Sequence, residues 1–335
     1  MLIIVDGLSR SGKLFLGKIL LTSKSISTQT YTGYLERLIE TIYFDFKSGK
    51  DIESHLELLR LYFCHTLEDL RKFRLLSLNP IDSSYYRNSN LYRTNKKNID
   101  LGVYQPKLDE ESLFINHTHE SIDFLSHLVS NHYEMSKKFI RNYVVIIRNP
   151  SAQILSWINR KYTKSWSYIT NANFKLNKIE FKNNYLINHN INYVPWFLNQ
   201  SFRWITSKKI LTREELEYVS ENEIIAICVI FLLEKYLIFS TSNSLNKEFK
   251  PIFVKHESIH DSPKKVIKNL FQKLGVYSFS NSEFNYIMKE ISSEKFGLQS
   301  AETSLKNCQK LIMNEKIKSH LFDLHHQYKK TNLSI

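Results

Sequence analysis

Leu2-Ile3-Ile4-Val5-Asp6-Gly7-Leu8-Ser9-Arg10-Ser11-Gly12-Lys13-Leu14-Phe15-Leu16-Gly17-Lys18-Ile19-Leu20-Leu21 is the stretch from which the fold reads. Residues 2–5 are uniformly apolar, the pattern of a short strand buried on both faces of a parallel sheet. Residues 6–13 carry turn formers, and 14–21 repeat Leu and Ile at helical spacing. Glycine is scarce, eight in the whole chain, yet Gly7, Gly12 and Gly17 fall within its first seventeen positions. Such clustering needs a backbone reason, and a sharp passage from strand into helix supplies one. The unit is strand, glycine loop, helix.

The same alternation recurs downstream. Residues 112–116 read as a second strand, and 143–147, Tyr-Val-Val-Ile-Ile, as a β-branched strand apolar on both faces. Asn149 and Pro150 then fit the cap and first position of a helix over 150–160. Residues 251–254 form another strand. After it Pro263 opens a helix in which Ile267, Leu270, Phe271 and Leu274 recur before Gly275 stops it. Further helices are predicted over 34–45, 52–76 and 224–239, and 79–98 reads as irregular. Strands alternating with helices predict an α/β fold: three layers, α/β/α, around a mainly parallel sheet. No repeat or linker divides the chain. The expectation is one domain over 1–335, with a helical insertion at about 34–110 and an aromatic-rich insertion at about 161–220.

A chain of 335 residues can bury a large core without disulfides or a structural metal. Cys64, Cys228 and Cys308 are odd in number and far apart, which argues for a reducing compartment. The N-terminus carries no signal-like segment, so the cytoplasm is expected. No apolar run is read as approaching the roughly 20 residues of a membrane span. Lys and Arg number 46 against 33 Asp and Glu, a net charge of +13 that favours an anionic partner. The basic residues are scattered, however, with neither a recognition helix nor a base-stacking signature. Nucleic acid is therefore the last of three readings.

Gly7 to Lys13 fits G-x-x-x-x-G-K, a backbone-amide cradle for phosphate placed between a strand and a helix N-terminus. Arg10 and Lys13 add full charges to the positive end of the helix. The nucleoside-triphosphatase version of this motif ends in Ser or Thr, whose hydroxyl holds Mg²⁺, but Leu14 stands there. The strand that should end in a metal-binding Asp ends in Ile146-Ile147-Arg148. Both departures favour a metal-free anion site, leaving a small-molecule kinase using ATP as the runner-up.

Ser9-Arg10-Ser11-Gly12-Lys13-Leu14 resembles the first loop of sulfotransferases that use 3′-phosphoadenosine 5′-phosphosulfate (PAPS), Pro-Lys-Ser-Gly-Thr-Thr between strand and helix. Arg148-Asn149-Pro150, with Ser156 eight residues beyond the Arg, is similar to their second motif. Phe253-Val-Lys-His-Glu-Ser-Ile259, Pro263 and Leu274-Gly275 are similar to their late strand and Pro-initiated helix. The resemblance implies the P-loop-like sulfotransferase fold and PAPS as co-substrate, with no metal. It implies a donor-binding loop of Ser9, Arg10, Ser11, Gly12, Lys13 and Leu14, in which Arg10, Ser11, Gly12 and Lys13 hold the 5′-phosphosulfate, and it assigns Arg148 and Ser156 to the 3′-phosphate. Phe15 stands where many members stack a Trp on adenine, although a Phe on the buried side of a first helix also suits the core. Lys295-Phe-Gly-Leu298 and Lys306 faintly echo the family's basic adenine loop. Lys13 or Arg10 would neutralise charge developing on the bridging oxygen.

Sulfuryl transfer needs a base for the acceptor proton. His117-Thr118-His119-Glu120 follows the second strand, and Thr118-His119 matches the dipeptide that carries the family's base. His119 is the expected base, with His117 or a carboxylate as alternatives. His117 and His119 with Glu120 could also suggest a metal site, but no further ligand is indicated by spacing. The acceptor is expected to be a small molecule or a saccharide, since Tyr162, Trp166, Tyr168, Tyr193, Trp196, Phe197 and Trp204 could stack on sugar rings.

Overall fold

The structure is a computed structural model that describes residues 1–23, 26–31, 33–73, 113–161, 196–241, 251–276, 281–293 and 300–331. The described residues within Met1–Ile147 and Ser242–Lys295 form one compact unit, and those within Arg148–Thr241 and Phe296–Asn332 form a second.

The first unit is built on a five-stranded parallel sheet of order β2-β3-β1-β4-β5. The strands are β1 (Leu2–Asp6), β2 (Ile26–Tyr31), β3 (Leu113–His117), β4 (Ile140–Ile147) and β5 (Ile252–Lys255). Its class is the expected one, α/β with a parallel sheet. Successive residues of a strand point to opposite faces. Ile3, Val5, Leu113, Ile115, Val144, Ile146, Ile252 and Val254 share one cluster with α1 (Lys13–Leu20) and later helices, while Leu2, Ile4, Tyr143, Val145 and Ile147 are buried as well. The central strands are thus buried on both sides, which is why they read as unbroken apolar runs.

β1 feeds across the sheet towards β2, and β3 crosses back over β1 to β4. The chain therefore reverses its winding direction beside β1, and the crevice at the carboxyl ends of such strands is where open α/β sheets bind ligands. Helices α2 (Gly33–Lys47), α3 (Glu53–Phe73), α4 (Ile122–Asn131) and α5 (Tyr133–Phe139) pack on one another, α5 also against β4.

The second unit is helical. Its first helix, α6 (Pro150–Asn159), starts as the sequence predicts: Asn149 accepts from the amides of Ser151 and Ala152, and Pro150 occupies the first turn. It is followed by α7 (Trp196–Ser207), α8 (Arg213–Leu216) and α9 (Glu221–Thr241). Ser220 and Glu223 close the start of α9 reciprocally: the Ser220 amide donates to Glu223 Oε2 at 2.7 Å, and the Glu223 amide to Ser220 Oγ at 3.3 Å. One expectation is corrected here. At 21 residues, α9 is long and apolar enough to cross a membrane, where the sequence was read as holding no such run. Within this unit the helix is mostly buried and packs against α6 and α7.

The remaining helices are α10 (His256–Asp261), α11 (Pro263–Lys273) and α12 (Asn281–Ser293) in the first unit, and α13 (Ala301–Leu311) and α14 (Glu315–Lys330) in the second. Gly275 follows α11 at φ 72°, the left-handed stop its sequence position predicts.

Candidate functional site

The loop between β1 and α1 folds through a run of left-handed residues, Gly7 at φ 145°, Arg10 at φ 71° and Gly12 at φ 103°. A side chain on Gly7 would run into the carbonyl oxygen of Ile146, and one on Gly12 into the ring of His256. Those approaches explain the two glycines. The Ser11 amide donates to the Leu8 carbonyl at 3.0 Å, tightening the loop. Helix α1 then begins with no side-chain cap, and its first internal bond runs from the Leu16 amide to Gly12 at 2.9 Å. The amides ahead of Leu16 have no partner within the helix, so they give its start a positive end. Ser11 is 1% exposed, and its hydroxyl oxygen has no hydrogen-bond partner among the described residues. A buried hydroxyl in that condition can bond a polar guest that reaches the loop.

Two cations flank this loop. Arg10 is exposed at its tip. Lys13 is buried, with its ammonium donating to the carbonyls of Gly7 at 2.5 Å and Leu8 at 2.9 Å. Ser9 is buried, Leu14 half-buried, and Phe15 fully inside, its ring stacked on His260 at 5.6 Å between centroids.

The segment after β3 is laced onto this loop. The Thr118 amide donates to Val5 at 3.0 Å and the Glu120 amide to Gly7 at 3.3 Å. Glu120, at φ 51°, returns its carboxylate to the Ser9 amide at 2.7 Å. Beneath the loop Asp6 is wholly buried, and its carboxylate accepts from the Tyr143 hydroxyl at 2.7 Å, Thr118 Oγ1 at 3.0 Å and the Ser121 amide at 3.3 Å. Burial and the Asp6 charge hold the Tyr143 phenol well above its ordinary pKa, so it stays a donor.

His117 is buried at the end of β3, while His119 keeps part of its surface accessible. Desolvation, then the nearby Lys13 charge, pushes each imidazole down to about 3. Both are neutral at pH 7, with a lone pair available on the ring. Among the described residues, no group of three or more His, Cys, Asp or Glu is placed to hold a metal ion.

Thus Ser9 to Phe15, His117 and His119 lie in the first unit at the carboxyl end of the sheet. Arg148 and Ser156 belong to the second unit, both half-buried, Arg148 just before the Asn149 cap and Ser156 on α6. Lys295-Phe-Gly-Leu298 lies outside the described residues, as do Tyr162, Trp166, Tyr168 and Tyr193. Phe197 packs on Trp157, and Trp204 on Phe231 and His320, so these rings serve packing within the second unit. Sequence reasoning passed over Asp6, Tyr143 and His256. An acidic residue closing a fully apolar strand was the signal for Asp6, while nothing local marked its partners.

No family model matches the chain, and no curated protein does. Among solved structures, it is similar to a sulfotransferase domain from the curacin biosynthetic pathway, with a TM-score of 0.38 and 12% identity over 98% of each chain. It is similar also to a sulfotransferase domain from the Synechococcus PCC 7002 olefin synthase, with a TM-score of 0.37 and 12% identity over 99% of this chain and 96% of that one. Likeness at this level assigns neither residues nor chemistry.

Proposed function

We propose that the protein is a sulfotransferase that moves a sulfuryl group from PAPS to a hydroxyl or amine, with a saccharide as the first acceptor class to try. The observation that carries this reading is the loop itself: an uncapped helix start, a buried unpartnered Ser11 hydroxyl and two cations, with Leu14 where a magnesium-dependent enzyme needs a hydroxyl. The phosphosulfate of the donor would lie against the amides of the first turn. Arg148 and Ser156 retain, as part of the proposal, the 3′-phosphate role that the resemblance implies.

In the reaction, the acceptor oxygen or nitrogen forms a bond to sulfur while the bond from sulfur to the bridging phosphate oxygen breaks. The electron pair of that bond leaves on the nucleotide, where Lys13 or Arg10 offsets the charge. The acceptor proton passes to His119, which keeps accessible surface that His117 lacks. An anion held against Lys13 offsets the field that lowers the His119 pKa, so donor binding strengthens the base.

Thermal-shift titration with adenosine 3′,5′-bisphosphate without magnesium, beside ATP with magnesium, tests the reading. Stabilisation by the bisphosphate supports it; stabilisation by the ATP pair alone replaces it with the small-molecule kinase that Lys13 would equally suit.

A further inference from the structure

Glu120 brings a carboxylate onto the loop that the proposed function assigns to an anion. Its Oε1 takes the Ser9 amide at 2.7 Å, its own amide bonds Gly7 at 3.3 Å, and its side chain is buried. The contact joins residues 111 positions apart, and it holds Glu120 at φ 51°, a left-handed conformation that costs a non-glycine residue free energy. Lys13, in the same loop, spends its ammonium on the carbonyls of Gly7 and Leu8. The loop therefore has an internal carboxylate on one amide and its buried cation turned upon its own backbone, while Ser11 Oγ has no partner among the described residues.

We infer that Glu120 is an internal competitor of the anionic ligand, a carboxylate that sets the affinity of the loop by yielding the Ser9 amide when a phosphate or sulfate group enters. Two like charges brought together in a partly desolvated loop repel far more than they would in water. The strained backbone at Glu120 favours its release. A merely structural Glu120 would act in the opposite sense, because removing its charge would slacken the loop and weaken binding. The inference rests on the loop as an anion site, and so on part of the proposed function.

The test is titration of the full chain and of Glu120→Gln with inorganic pyrophosphate and with adenosine 3′,5′-bisphosphate, followed by calorimetry. Gln keeps an oxygen for the Ser9 amide and loses only the charge. About tenfold tighter binding of both probes to Glu120→Gln is expected. Unchanged or weaker binding of pyrophosphate overturns the inference. If pyrophosphate tightens as expected but the nucleotide binds no better than pyrophosphate, the sulfotransferase reading fails and the role of Glu120 stands. Should the variant not fold, hydrogen exchange on the wild-type chain decides. Saturating pyrophosphate should speed amide exchange across 118–121 as Glu120 leaves Gly7, and slower exchange there would overturn the inference.

Discussion

Tyr143 donates its hydroxyl to Asp6 Oδ2 at 2.7 Å, joining adjacent strands across 137 residues of sequence. Tyr143 lies opposite Ile4 in the register, so Asp6 is its diagonal neighbour on the same face, within reach of a long aromatic side chain. The bond, with those from Thr118 and Ser121, is what allows a carboxylate to sit wholly buried under the loop. Tyr143→Phe removes a donor to a buried charge and should cost about 1.5–3 kcal/mol of stability, read as a lower urea midpoint.

The glycines of the loop should rank by what opposes a new side chain. Gly7→Ala meets the backbone oxygen of Ile146, which cannot withdraw without disturbing β4, whereas Gly12→Ala meets the ring of His256. Both also force alanine into a left-handed conformation, worth about 1–3 kcal/mol. Gly7→Ala should be the more damaging, and His256→Ala should restore part of the stability of Gly12→Ala but none of that of Gly7→Ala. Thermal melts of the five proteins check the order.

Stability should fall as the solution is made acid, through the histidines beside Lys13. In the folded chain His117 and His119 titrate at about 3, below the ordinary histidine value of 6.5. Between those values the unfolded chain binds protons that the folded chain does not, so acidification favours unfolding by up to about 1.4 kcal/mol per pH unit for each imidazole. The contribution is whole above about pH 6.5 and declines from there towards pH 3. Replacing His119 with Gln should make the stability profile shallower over that window, as urea unfolding at a series of pH values would register.

Arg148 offers a residue-level test of the nucleotide. Arg148→Ala should weaken binding of adenosine 3′,5′-bisphosphate by about 2 kcal/mol, the scale of a lost charge-assisted hydrogen bond, and leave adenosine 5′-phosphosulfate nearly unchanged. Equal losses for the two, measured by calorimetry on a folded variant, would show that Arg148 does not read the 3′-phosphate.

Much of the frame was legible because its signals are local. β1, the glycine loop and α1 follow from apolar runs and left-handed positions within twenty residues, and the Asn149-Pro150 start of α6 from two. β2 was missed: Ile26-Ser-Thr-Gln-Thr-Tyr31 at the sheet edge lacks the apolar run that announces an interior strand. β4 begins at Ile140, earlier than the apolar core at 143–147 suggests, because Ile140 and Asn142 pair with Leu2 and Ile3 while the exposed Arg141 is the extra residue at a shift of register between them.

By itself, then, the chain determined where it turns and which segments are buried, since backbone sterics and apolar periodicity act over a few neighbours. It named Lys13, Ser11 and His119 as chemical candidates. Only the tertiary structure decided that Asp6 is held by Tyr143, that Glu120 takes the Ser9 amide, and that both histidines stay neutral. Those outcomes depend on excluding water and on bringing charges together across more than a hundred residues, and neither can be read from sequence spacing.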